Sequence, residues 1–119
     1  MLFHSLLKKL VTDIEGALGA IILDWEGEPV QWWDVQDKDR LMLRAAYMDV
    51  TFKLVKKLVS SAKAGRAHLL VLEYEGGRFV VEEIAGGYVV VIELSLAGNL
   101  GEALREIEPV VVELRREIA

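Results

Sequence analysis

Between Arg66 and Leu94 the chain holds three apolar runs separated by two Gly-Gly pairs. Residues 67–74 lead to Gly76-Gly77, residues 79–84 lead to Gly86-Gly87, and residues 88–94 follow. Glycine tolerates the positive φ angles that tight hairpin turns demand, so this spacing predicts an antiparallel three-strand meander. Strands apolar on both faces need cover on both sides, which the rest of the chain must supply.

The flanking segments are patterned for that task. Leu2, Phe3, Leu6, Leu7, Leu10, Val11 and Ile14 recur at helical spacing, and Gly16 stands where such a helix would end. Residues 18–23 read as a first strand, with Gly19 and Ala20 small enough for a close neighbour. Residues 24–28 read as a turn and 29–33 as a second strand, whose Pro29 cannot donate to a ladder and so marks a sheet edge. Asp37 is a candidate N-cap for a long helix running to about residue 62. After the meander, Asn99 and Glu102 have capping-box spacing, followed by Leu100, Ala103, Leu104, Ile107, Val111, Leu114 and Ile118 on a last helix. Pro109 is expected to kink or restart that helix, and the β-favouring Val110-Val111-Val112 leaves its tail open. The expected fold is α+β in the order α-β-β-α-β-β-β-α. A five-stranded antiparallel sheet is sandwiched, with terminal helices on one face and the long helix on the other. With 119 residues, one domain covering 1–119 is expected.

The long helix has too much apolar surface for one sheet. On a wheel of about 100° per residue, Leu41, Met48, Phe52, Val55, Val59 and Ala62 form one stripe. Leu43, Tyr47, Val50, Leu54 and Leu58 form a second beside it, and Asp49, Lys53, Lys56, Lys57 and Ser60 share a narrow polar arc. The second stripe is covered either by a loop or the first helix, or by a second copy of the chain. Large apolar patches rarely persist on monomers, and a two-fold dimer would let each helix cover its twin, so the dimer is favoured.

Composition narrows the function. The net charge of −5 argues against nucleic acid as the main partner. Without cysteine, disulfides, thiolate metal sites and Cys nucleophiles are excluded. No apolar run reaches the length of a membrane span and the opening residues lack a signal-peptide cleavage pattern, so no membrane insertion and a cytoplasmic location are expected. One Asn and two Gln against many Glu, Lys and Arg fit a heat-adapted source.

Catalytic chemistry finds little footing. There is no GxxxxGK[ST] loop, and His4 and His68 do not have metal-ligand spacing. Glu82 and Glu83 are neighbours in a strand and point to opposite faces, so they cannot form an acid–base pair. The Gly-Gly pairs precede strands rather than helices, which removes the phosphate-cradle reading, and Gly16-Ala17-Leu18-Gly19 fails the dinucleotide fingerprint likewise. No catalytic, cofactor or metal residue is assigned, and the chain is read as a non-enzyme. Lys53, Lys56 and Lys57 are either a solvated face or a basic rim that steers an acidic partner. Trp32 and Trp33 alternate to opposite faces, where one can cap the sheet and the other can bind.

In order and spacing the chain resembles the Roadblock/dynein light chain family, and within it the MglB-like bacterial members. The resemblance spans nearly the whole length. It rests on Gly16-Ala17-Leu18-Gly19-Ala20-Ile21-Ile22-Leu23-Asp24, on Glu26-Gly27-Glu28-Pro29-Val30, on Ala45-Ala46, and on Gly98-Asn99-Leu100-Gly101. Trp32-Trp33 and Pro109 depart from the family pattern and leave partner identity open. The resemblance implies a homodimer whose third strands pair edge to edge into a ten-stranded sheet, crossed by two antiparallel long helices. Interface residues would then be Leu43, Tyr47, Val50, Leu54, Leu58, His68, Leu70 and Leu72, with His68 a pH-sensitive contact. It also implies a small Ras-like GTPase as partner, the chain acting as regulator or scaffold. Arg66 and Arg78 are either candidate inserted arginines or solubilising residues at turn edges. The alternatives are a structural adaptor in a motor or polarity complex, and a profilin- or PAS-like small-molecule sensor with a cavity near Gly19 and Ala20.

Overall fold

The computed structural model describes residues 2–118; Met1 and Ala119, the ends of the expected domain, lie outside the described residues. Its elements are α1 (Leu2–Asp13), β1 (Ala17–Leu23), β2 (Pro29–Asp34), α2 (Lys38–Ser61), β3 (Leu69–Tyr74), β4 (Gly77–Glu83), β5 (Val89–Leu94) and α3 (Leu100–Ile118). The order is the one expected. All strand pairs are antiparallel, in the spatial sequence β2-β1-β5-β4-β3. Two strands are therefore edges: β2, as Pro29 requires, and β3.

The sheet separates two apolar layers. Leu7, Leu10 and Val11 of α1, Ile14 just after it, and Ala103, Ile107, Val111 and Leu114 of α3 pack on one face, against Ala20, Ile22, Val80, Val90 and Ile92. Leu41, Ala45 and Phe52 of α2 pack on the other, against Ile21, Leu23, Phe79, Val81 and Val91. Alternation along β1 and β5 sends successive side chains to opposite layers, so the middle of the sheet is apolar throughout. Gly19 and Ala20 leave no hollow: a Cβ on Gly19 would meet Leu41 Cδ2 at 3.0 Å, so the small residue lets α2 approach.

Several local expectations are corrected. At the β3–β4 turn the paired ends are Tyr74 and Gly77, and neither Gly76 nor Gly77 has a positive φ. Gly77 is required for space instead, since a Cβ there would lie 2.5 Å from the Leu94 carbonyl oxygen. The conformational argument holds at Gly86 and Gly87, whose φ values are +58° and +85°.

The capping box is half formed. Asn99 Oδ1 accepts from Glu102 N at 2.9 Å, but the Glu102 carboxylate turns away to accept from Glu15 N at 2.6 Å. The Asn99 amide is already bonded to the Glu15 carbonyl, so the second half of the motif becomes a tie between α1 and α3. Helix α3 runs unbroken through Pro109, with no restart and no strand. Pro109 is exposed while Val110, Val111 and Leu114 are buried, so packing on the sheet outweighs the missing amide and the valines' β preference.

Candidate interaction surface

Asp37 accepts from the Asp39 and Arg40 amides and so starts α2, as its sequence position suggests. The helix then turns its second stripe outward. Leu43, Tyr47, Val50, Leu54 and Leu58 are 56–66 % exposed, while Leu41, Ala45 and Phe52 are buried beneath. Neither the first helix nor a loop covers the stripe.

Beside it lies β3. Leu70 is half-buried and joins the α2 layer. Leu72 lines an open apolar cleft of about 340 Å³ with Arg44, Tyr47, Met48, Tyr74 and Phe79, which links the helix stripe to the sheet edge. On the opposite face of β3, Val71 is 37 % exposed and Leu69 half-buried. His68 stands just before the strand, although its carbonyl still accepts from Glu83 N at 2.9 Å. It faces a different cleft, with Arg66, Glu83 and Arg115, rather than the α2 stripe.

A buried charge cluster sets the rotation of α2. Glu93, on the central strand β5, is 1 % exposed. Its Oε2 accepts from Arg44 Nη1 at 2.8 Å, Arg40 Nη2 at 3.1 Å and the Tyr74 hydroxyl at 3.2 Å. The two arginines are one helical turn apart, so one carboxylate holds two points on the same helical face. Tyr47, three residues after Arg44, shares the arginine flank, and with that flank tied to β5 and Leu41, Ala45 and Phe52 turned to the sheet, Tyr47 and Leu43 are left exposed. Burial raises the Tyr74 pKa, and the Glu93 charge adds to the rise, so the phenol stays protonated as a donor. Sequence reading missed this cluster; its trace was a lone Glu in the apolar run 88–94 and an i, i+4 arginine pair.

The polar arc of α2 is not uniformly solvated. Asp49 is 3 % exposed, because the β1–β2 turn folds over it: a Cβ on Gly27 would lie 3.0 Å from its Oδ2. Lys53 bridges Asp49 Oδ2 at 2.9 Å and the Trp25 carbonyl at 3.1 Å, latching turn to helix. Lys56 lies over the Phe52 ring and 3.6 Å from Glu83 Oε2. Of the three lysines, Lys57 has no such tie and is exposed.

The aromatic and arginine candidates divide similarly. Trp33 packs on the α1–α3 layer and Trp32 on the α2 layer, as alternation requires. Lys8 lies 5.2 Å from the Trp33 ring, Lys38 5.8 Å from Trp32, and His4 meets Trp33 edge-on at 5.1 Å. Both tryptophans cap the β2 edge. The exposed indole is Trp25, 55 % accessible and in edge contact with Tyr88. Arg78 is a strap, bonded to Glu73 at 2.7 Å and to the Leu96 and Gly98 carbonyls at 3.3 Å. Arg66 is held only by Glu83, at 2.5 Å, and is otherwise in solvent.

Among the described residues no group of three or more His, Asp or Glu is placed to hold a metal ion, and no helix is long and apolar enough to cross a membrane.

No protein-family model matches the chain, and no curated protein matches it in sequence. Solved structures do. A Roadblock/LC7 domain from Streptomyces avermitilis superposes with a TM-score of 0.87 at 16% identity, covering 97% of this chain and 96% of that one. MglB from Myxococcus xanthus gives 0.83 at 13% identity over 95% and 91% of the two chains. MglC from the same organism gives 0.70 at 22% identity over 99% and 100%. These likenesses span both chains almost end to end, and the fold of this protein is that of the Roadblock/LC7 domains, MglB and MglC among them.

Proposed function

We propose that the chain is a homodimeric, cytoplasmic binding module of one domain that regulates or scaffolds a small Ras-like GTPase. The observation that carries the dimer is the continuity between the exposed α2 stripe and the open β3 edge. The two sheet edges are built differently. Pro29 and the lysine-capped tryptophans blunt β2, as edges that must stay unpaired are blunted. The run Leu69-Leu70-Val71-Leu72 leaves β3 apolar, without Pro or Lys, and ready to pair. Five helix side chains per copy, each gaining on the order of 1 kcal/mol on burial, offset an association cost of about 4–15 kcal/mol once both copies contribute.

The GTPase comes from the resemblance to Roadblock domains, supported by MglB and MglC among the fold's solved examples. Leu43, Tyr47, Val50, Leu54, Leu58, Leu70 and Leu72 form the dimer contact, with His68 at its margin. Lys57 is the free rim charge that steers the partner, while Lys53 and Lys56 hold the rim in place. Any effect on hydrolysis is read as indirect, because Arg78 is committed to the fold and Arg66 is paired with Glu83. The test is a small GTPase encoded beside this chain, assayed for binding and for hydrolysis with and without it. A changed rate marks a regulator, and binding without a changed rate marks an adaptor. Failure to bind in either nucleotide state contradicts the proposal.

A further inference from the structure

The strongest charge asymmetry lies beyond the stripe, at the C-terminal end of α2. Residues 50–72 carry Lys53, Lys56, Lys57, Lys63 and Arg66 and no Asp or Glu. That segment is +5 in a chain of −5, so the remainder carries −10. The fold adds Arg115 from α3, whose Nε and Nη2 donate to the Ile84 and Glu83 carbonyls at 2.7 and 3.3 Å. Those bonds hold the guanidinium in place without neutralising it. Arg66, His68 and Arg115 line an open cleft of about 510 Å³, floored by Glu83 and the Ile84-Ala85-Gly86 backbone.

The cleft already holds one carboxylate. Glu83 Oε1 receives Arg66 Nη2 at 2.5 Å, and Lys56 Nζ lies 3.6 Å from Oε2. The Glu83 carboxylate therefore faces Lys56 and Arg66, Arg115 reaches only its backbone carbonyl, and Lys57 and Lys63 are exposed on the helix and its following loop. Glu82 and Glu108 line an adjoining cleft with His68 and Arg115, and partial burial raises the Glu82 pKa.

We propose that this cleft is a docking site for a short acidic segment of a partner protein, whose carboxylates meet Arg66 and Arg115 beside the place Glu83 holds with Arg66 and Lys56. A short segment fits better than a membrane plane or a duplex. The molecule extends 38 × 34 × 26 Å, and an extended polyanion would bring the −10 remainder within a few Debye lengths of itself. The site goes beyond the GTPase reading and does not rest on it.

The test uses the whole chain alone, so its failure is distinct from failure of the GTPase assay. A fluorescein-labelled glutamate-rich peptide is titrated by anisotropy at low salt, alongside its glutamine counterpart, phosphatidylserine vesicles and a DNA duplex. The glutamate peptide binds, the glutamine one does not, and binding weakens as salt rises. The double variant Lys63→Glu/Arg66→Glu weakens binding about tenfold, and Arg66→Gln alone weakens it measurably. Arg105→Glu, on exposed α3 outside the cleft, leaves it within about twofold. Circular dichroism confirms that each variant is folded. Absence of peptide binding, equal binding of the glutamine peptide, an equal loss in Arg105→Glu, or tighter binding of vesicles or duplex would each overturn the proposal.

Discussion

Glu93 shows how a buried charge can serve a surface. Its carboxylate lies beneath α2, and its three donors come from two turns of that helix and from the end of β3. The arginine side chains keep 33 and 39 % of their surface in solvent, so removing the acid does not strand two buried cations. The cost is loss of charge-assisted bonds and of the helix's rotational anchor. Glu93→Gln is expected to destabilise by about 2 kcal/mol in urea unfolding. A loss below about 0.5 kcal/mol would mean that apolar packing alone sets the helix. Asp49 carries a related lesson. Wheel geometry put it with the exposed lysines, but a wheel reports only angle on a helix, and here a turn remote in sequence covers part of the polar side.

Pro109 is the element-scale counterpart. It occupies an exposed interior position of α3, where proline forfeits the bond to Arg105 yet the helix continues because its inner side is buried. Alanine there should restore the bond, less what proline saves by restricting the unfolded chain, a net gain of about 1–2 kcal/mol. Thermal unfolding of Pro109→Ala should rise by about 4 °C or more; an unchanged or lower midpoint would show that the restored bond does not outweigh what proline saves in the unfolded chain. Every element was legible in sequence, because the helical stripes, Pro29, Asp37 and the Gly86-Gly87 pair each carry a local mechanism. The stripe of Leu43, Tyr47, Val50, Leu54 and Leu58 was legible too, since helical angle decides it. What sequence could not supply were tertiary substitutions for local motifs: Glu102 bonding Glu15 instead of Asn99, Gly77 serving the Leu94 carbonyl instead of a turn, and Glu93 pairing across 49 and 53 residues to Arg44 and Arg40.

At the scale of the whole molecule, the sheet is finished on one side and open on the other. β2 carries proline and two tryptophans covered by Lys8 and Lys38, whereas the free edge of β3 presents leucine and valine next to an uncovered helix face. Basic residues gather toward the C-terminal end of α2 in an otherwise acidic chain. The proposed dimer face and the proposed acidic-segment site draw on these two features. The most direct measurement is light scattering coupled to gel filtration at tens of micromolar, on the wild type and on Leu54→Asp/Leu58→Asp. The account predicts twice the chain mass for the wild type and a folded single chain for the variant, whose substitutions fall on already exposed positions. A wild type that remains a single chain at that concentration would contradict it.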